Sequence, residues 1–573
     1  MTDIEIPKRE KRKFLDDNLV IESWNTLLPY FNNLKEREIA SAEALEKWVL
    51  DRSELDAVLE EDLAWRYIKM NIDTRNEELS KSFHFFVQEI EPNIAPFSNE
   101  FDKKLLASPF LQQLNKEKYR IYLRGLKKRI ELFREKNIPL LTQLQTDAQK
   151  YGVISAKMTV EMEGKEITMQ KAATYLKNTN RSIREEAYKK LIERRLQDKD
   201  ELHKLYTHLI KLRDEVAKNA DYQNFRDYMF ASLGRFDYTV EDCYDFHTAI
   251  EKEIVPIIRQ FNLERKTALN LDVLKPWDTE VDITGKPPLK PFETGNELVQ
   301  KTIKCFTKID AYFADCIYIM NEMGHLDLES KTGKAPGGFN YPLYEIGVPF
   351  IYMNAVGTHR DVVTMVHEGG HAIHSFLSRD LEITDFKSTP SEVAELASMS
   401  MELISMEHWE VFFETEEELK RAKKEQLEKI LSILPWIAIV DSFQHWVYQN
   451  PTHSLQERAD KWLEITNRFS SKVVDSTGFE ESKANSWQNQ LHIFEVPFYY
   501  IEYGMAQLGA IAMWKNYKEN PKKTLENYKA ALRLGYTKSI AEIYETAGIT
   551  FDFSKENVKR LADFVKVELA ALN

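Results

Sequence analysis

The chain has 573 residues, of which 43% are hydrophobic and 30% charged, and its 78 Lys and Arg face 92 Asp and Glu for a formal net charge of −14. A chain this long buries roughly three quarters of its unfolded surface without staples, and the excess of acid opposes nucleic acid or an anionic membrane as a partner. Its three cysteines, Cys243, Cys305 and Cys316, include no C-x-x-C pair, which excludes a disulfide framework and a cysteine zinc knuckle.

The first residues, MTDIEIPKREKRKF, lack the apolar stretch of a secretory signal, so a cytoplasmic protein is expected. The basic cluster Lys8 to Lys13 reads as a solvated terminus. Helical periodicity dominates the first 290 residues, as in Leu111, Leu114, Tyr119, Tyr122, Leu126 and Ile130. The exception is KMTVEMEGKEITM, where Met158, Val160 and Met162 alternate before Glu163-Gly164; it predicts a β-hairpin near 156–169 followed by a helix from about Met169. Four prolines and a glycine between Pro276 and Pro291 predict a lobe boundary, giving an N-terminal helical lobe over 1–290 and a catalytic lobe over 291–573. Phosphate-loop, dinucleotide and serine-hydrolase motifs are missing, and Gly333 to Gly338 reads as a flexible loop. In Pro349 to Ala355, Phe350, Tyr352 and Asn354 alternate with Ile351 and Met353; this predicts an edge strand, which either pairs with an extended substrate or stays in the core.

The segment Val362 to Phe376 contains His367-Glu368-Gly369-Gly370-His371. On a helix, residues i and i+4 lie one above the other, so both imidazoles can meet one ion with Glu368 beside it. Chance supplies such an H-E-x-x-H pattern about 0.05 times in a chain of this composition. The competing reading is an amphipathic helix with satisfied histidines, yet two mid-helix glycines cost about 0.8–1 kcal/mol each relative to Ala, so something must require them to be small. Catalytic zinc takes a third protein ligand. The next helical segment, with Ser391 as its expected N-cap, places Glu392, Glu395 and Glu402 on one face; Glu395 is favoured as ligand and Glu392 is the alternative. Glu402 and His374 are candidates to orient the ligand imidazoles. Ile430 to Val440, the most apolar stretch, is too short to span a membrane and contains Pro435, which predicts a buried helix or helix end.

HEGGHAIHSF followed by E-L-A-S resembles the thimet oligopeptidase family of zinc peptidases, and within it the bacterial oligoendopeptidase F branch. GKAPGGFNYPL, PFIYMNAVGTHRDVVTMVHEGGHAIHSF, HIFEVPFYYIEYGMAQLGA and ALRLGYTKSIAEIYETAGI extend the resemblance over the C-terminal half; it is weaker before that. It implies a mainly α fold in which two helical lobes enclose a deep substrate channel, with a small β-sheet beside the zinc helices. It also implies one zinc ion per chain on His367, His371 and Glu395, and Glu368 as general base. The family's substrate-gripping His and Tyr-x-x-Tyr fall on His492, Tyr500 and Tyr503, with a His-to-Tyr spacing one residue shorter than in the mammalian-type members and with Tyr499 beside Tyr500. Without the resemblance, the stripe Phe498, Tyr499, Tyr500 and Tyr503 would read as core.

The chemistry so implied is endopeptidase hydrolysis of short unfolded oligopeptides. Zinc lowers the pKa of water from about 16 towards about 7, Glu368 moves its proton to the leaving amine, and Tyr503, Tyr500 or His492 hydrogen-bonds the oxyanion. The rivals are a helical zinc carboxypeptidase, for which Arg360 would hold the terminal carboxylate, and a peptide-binding scaffold without turnover. The sequence leaves monomer against homo-oligomer open.

Overall fold

A computed structural model describes residues 4–331 and 333–572. Helix makes up 69% of it and strand 4%, so the fold is mainly α. Six helices position the site: α1 (Ala42–Ile72), α2 (Val240–Ala249), α3 (His359–Ser378), α4 (Ser391–Met406), α5 (Glu416–Gln449) and α6 (Tyr500–Glu519).

Two apolar clusters hold most of the core. One is built from Leu15 to Leu126, with Ile383 and Phe386 joining it from the segment between α3 and α4. The other runs from Ala148 to Leu569 and contains Leu289 and Phe292. The core therefore divides between residues 126 and 148, and the proline-rich segment connects elements of a single cluster. A small third cluster seats Ala64 and Ile68 of α1 on Leu343, Phe350 and Tyr352, which ties the N-terminal helices to the sheet beside the site.

The hairpin forms as its alternation requires. Strands β1 (Thr159–Met162) and β2 (Lys165–Thr168) pair antiparallel, Val160 and Met162 turn inwards, and Glu163 and Gly164 both take positive φ, the mirror-image turn that suits a two-residue hairpin loop. Thr168 then caps the helix Met169–Thr174 by accepting from Lys171 N.

The second sheet has the order β3-β5-β4, with β3 (Leu326–Glu329) parallel and β4 (Phe339–Tyr341) antiparallel to β5 (Phe350–Ala355). This corrects the expected edge position of β5. It is the central strand, both its ladder sides are taken, and no substrate can pair with it; Tyr341↔Phe350 and Phe339↔Tyr352 leave β4 at an edge. The alternation that suggested an edge is absent in the burial, since only Asn354 of β5 is not fully buried. The Gly333 to Gly338 loop is anchored by Lys334, whose buried ammonium is held by Asp327 and by the carbonyl oxygens of Glu329 and Met353.

The basic terminus is also held. Glu345 accepts from Arg12 Nε (2.5 Å) and Nη2 (2.9 Å), and Glu54 accepts from the backbone N–H of Lys13, Phe14 and Leu15. Helix α5 is long and apolar enough to cross a membrane by length and composition, but 72% of that window is buried inside the protein, as befits a core helix. Pro435 lies within it.

Candidate active site

Helix α3 begins on a capping box, in which Thr358 Oγ1 accepts from Asp361 N while the Asp361 carboxylate accepts from Thr358 N, two otherwise orphaned donors satisfied together. Helix α4 begins at Ser391 with Pro390 in the cap position, so Ser391 is the first helical residue and not the cap expected of it. The two helices cross in direct backbone contact. A Cβ added at Gly370 would stand 2.6 Å from Ser398 Cα and 2.8 Å from Ala397 O, and one at Gly369 would meet the Phe306 ring at 2.9 Å. The two glycines are small because a neighbouring helix and a core ring occupy the space of their side chains.

That close crossing sets Glu395 opposite the two histidines. His367 Nε2 lies 3.4 Å and His371 Nε2 3.7 Å from Glu395 Oε2, and one donor atom from each of the three residues falls within 4.8 Å of the others. Two imidazoles and a carboxylate converging at this spacing fit a divalent zinc-class ion and leave a further coordination position open. Glu392, the alternative ligand, is turned away and accepts from Tyr238 Oη (2.6 Å).

Hydrogen bonds around these three side chains fix their orientation. His367 Nδ1 donates to Glu402 Oε1 (2.6 Å), whose other oxygen accepts from Gln426 Nε2 (2.8 Å). Glu395 accepts from Tyr499 Oη on Oε1 (2.6 Å) and from Ser398 Oγ on Oε2 (3.2 Å). Burial works against a charged Glu395, but the two imidazoles and the Tyr499 hydroxyl outweigh it and hold the carboxyl at about 2. Glu402 is therefore placed as expected of an orienting group, whereas His374 is buried with Nε2 unpartnered and makes no side-chain hydrogen bond to either imidazole among the described residues.

Glu368 sits beside the ligands and binds through its carbonyl to Asn340 Nδ2 of β4 (3.3 Å). Burial, reinforced by the charges of Glu395 and Glu402, pushes its carboxyl up to about 7 against the pull of His367. A carboxyl poised there can take and return a proton near neutrality.

The opposite wall comes from Leu491–Glu495 and the start of α6. His492 Nε2 lies 3.4 Å from Tyr503 Oη, with Gln490 Nε2 on its Nδ1 (2.6 Å). The His492 ring is 5.0 Å from that of Tyr500 and 5.7 Å from that of Tyr503, so the three expected side chains form one group. Burial lowers the His492 ring to about 4, which keeps it neutral, and burial raises the Tyr503 hydroxyl well above its ordinary range, with Glu395 and Glu368 contributing.

The residues that sequence reasoning missed here are Tyr499, Gln426 and Asn340. In the sequence Tyr499 reads only as a neighbour of Tyr500, yet its hydroxyl bonds Glu395. Gln426 and Asn340 lie 24 and 28 residues from their partners and carry no local signal.

A family model described as peptidase family M3 matches residues 174–563, and one described as the peptidase M3 N-terminal domain matches residues 14–133. An oligoendopeptidase F homolog of Borreliella burgdorferi is 25% identical over 72% of this chain and 70% of its own length. The oligopeptidase PepF of Bacillus subtilis is 21% identical over 77% of this chain and 67% of its own. Among solved structures, PZ peptidase A with an inhibitor superposes with a TM-score of 0.92 at 25% identity, covering 98% of this chain and 99% of that one. An oligoendopeptidase F from Enterococcus faecium shares the fold, with a TM-score of 0.65 at 17% identity over 96% and 97%. With the H-E-x-x-H helix, the distant glutamate and a family model that spans most of its length, this chain belongs to peptidase family M3.

Proposed function

We propose that this metalloendopeptidase uses zinc, held by His367, His371 and Glu395, and cuts internal bonds of short unfolded oligopeptides with Glu368 as its base. The convergence of the three ligand donors within 4.8 Å carries the reading. A zinc ion bound there supplies Lewis acidity, which acidifies water and polarises a peptide carbonyl. Glu368 takes the water proton and returns it to the leaving amine. Tyr503, backed by His492, and Tyr500 donate hydrogen bonds to the oxygen on which negative charge develops. Tyr499 is a positioning residue, since its hydroxyl is spent on Glu395.

A peptide reaches these groups in extended form. The edge strand β4 offers ladder positions for it, and Asn340 ties that strand to the backbone at Glu368. An enclosed route is supported by carboxyls on facing elements. Glu60 of α1 is solvent-exposed, yet desolvation pushes its carboxyl up, and desolvation raises Glu495 to about 7. The Tyr67 hydroxyl of α1 is raised by burial and by Glu495, so α1 faces the His492 segment. Threading through such a space selects unfolded chains, because opening a stable domain first costs about 5–15 kcal/mol.

The test is digestion of a mixed peptide library with mass-spectrometric mapping, with and without a chelator. Internal cuts that stop with the chelator and return with zinc are expected. Removal of single C-terminal residues would replace this reading with the carboxypeptidase, and no hydrolysis at all with a scaffold.

A further inference from the structure

Away from the active site, α2 and α5 pack together and present a second set of metal-binding donors. Cys243 and His247 are an i, i+4 pair on α2, and Asp441 and His445 an i, i+4 pair on α5, so each pair shares one helix face. Cys243 Sγ, an Asp441 carboxylate oxygen and a His445 ring nitrogen all lie within 4.8 Å of one another. Unlike His367 and His371, this set is sealed, with Cys243 and Asp441 at 0% exposure and His247 and His445 at 2%.

The hydrogen bonding in this cluster is incomplete. His247 Nε2 bonds Asp441 Oδ2 (2.8 Å) and Ser442 Oγ lies 3.1 Å from His247 Nδ1, so that imidazole is oriented from both sides. Among the described residues, Asp441 Oδ1 has no hydrogen-bond partner. Among the same residues neither ring nitrogen of His445 has one; its Nε2 lies 3.1 Å from Asp441 Oδ2 but out of line for a hydrogen bond. Aromatic rings surround His445, with Tyr244 at 5.1 Å, Phe498 at 5.3 Å and Phe230 at 5.9 Å between centroids, and they offer it no acceptor. Arg235, a buried cation of this region, bonds Glu502 and the Phe498 carbonyl through Nη2, and no hydrogen bond joins it to Asp441 or His445 among the described residues. A buried carboxylate with a bare oxygen beside an unbonded imidazole is costly unless a cation satisfies both.

We infer that Cys243, Asp441 and His445, with His247 as the fourth donor, form a closed structural site for a zinc-class divalent ion. A thiolate, two imidazoles and a carboxylate favour such an ion over magnesium or calcium, and four protein donors with no path for water make the site structural. Side chains on facing helices are a usual source of ligands for a metal site inside a helix bundle. Its position gives it a task. His445 packs on Phe498, whose backbone is held in the left-handed region at φ 67 with its N–H on Gln444 Oε1 (3.1 Å), and the next residues are Tyr499 and Tyr500. An ion here braces the turn that delivers the tyrosines to the active site.

The full-length protein, produced in minimal medium with cobalt as the added metal, tests this. Two metal ions per chain are expected, together with a thiolate-to-cobalt charge-transfer band in the near ultraviolet, which the His-His-Glu set cannot give. Glu395→Ala should lose one equivalent and keep the band, and Cys243→Ser should lose one equivalent together with the band. Asp441→Asn, which preserves shape, should weaken the band even if Cys243→Ser proves too unstable to purify. One metal per chain without the band in the wild-type protein would overturn the second site, as would a band that survives Cys243→Ser. One metal with the band would leave the second site standing and sink the catalytic assignment instead.

Discussion

On the proposed ligand wall, α3 and α4, the side chains assigned to the metal are held by close partners, with His367 on Glu402 at 2.6 Å and Glu395 on Tyr499 at 2.6 Å. On the tyrosine wall, Tyr503 Oη is held more loosely, with His492 Nε2 at 3.4 Å and the Tyr499 hydroxyl as its neighbour. The difference matches what each wall is asked to do. A ligand must be in place before any substrate arrives, so its orientation is built into the fold. A hydrogen-bond donor for developing charge contributes to rate only through an interaction stronger in the transition state than in the ground state, and a hydroxyl already tied to a short partner would have less to offer.

Changes on the two walls should therefore fail in different ways, and the largest failure should come from the ligands. Glu395→Ala is expected to lose the catalytic metal and with it all measurable peptide hydrolysis, while Glu392→Ala keeps that metal, as read by metal content after dialysis. If Glu392→Ala empties the site and Glu395→Ala does not, the ligand wall has been misassigned. Glu368→Gln should retain full metal content and lose about 10²–10⁴-fold in kcat, the range of a general base. Loss of metal in that variant would make Glu368 a ligand.

Tyr503→Phe removes one hydroxyl and little volume, and should lower kcat by about 10²-fold with KM little changed and metal content intact. An unchanged kcat would return Tyr503 to packing. Glu402→Gln sharpens the contrast from the other wall, since it keeps the size but weakens the bond to His367; metal affinity should fall about 10–100-fold in a competition titration, with kcat recovered at saturating zinc. The smallest effect is structural. Gly370→Ala forces a methyl group to within 2.6 Å of the Ser398 Cα, so α3 and α4 must separate, at about 1–3 kcal/mol of stability in denaturant unfolding. A neutral result would mean that the crossing does not set the ligand geometry.

How much of this was legible in the sequence follows from how local the interactions are. His367, Glu368 and His371 are four residues apart at most, so the 3.6-residue turn alone aims them at one place, and the β1–β2 hairpin is a matter of adjacent residues and a turn with positive φ at Glu163 and Gly164. The alternation in Pro349 to Ala355 marks a strand correctly but carries nothing about what lies on either side. Whether β5 is an edge is decided by β3 and β4, pairings that the strand's own residues do not encode. The proline-rich stretch from 276 to 291 likewise marks an irregular segment, yet the core divides well upstream of it, because cores are separated by where buried faces meet and not by where the chain turns.

The sequence by itself determined the helical class, the hairpin and the H-E-x-x-H pattern, and, with the family resemblance, it singled out Glu395, His492, Tyr500 and Tyr503 as candidates for the same site. Tertiary structure alone decided that Glu392 turns to Tyr238, that Tyr499 bonds Glu395, that β4 holds the sheet edge beside Glu368, and that Cys243 and His247 meet Asp441 and His445 nearly two hundred residues away. The physical reason is one of range. A helix turn or a hairpin is fixed by neighbours a few residues apart, whereas these contacts exist only once buried apolar faces have brought distant helices together, and no periodicity in either segment names its partner.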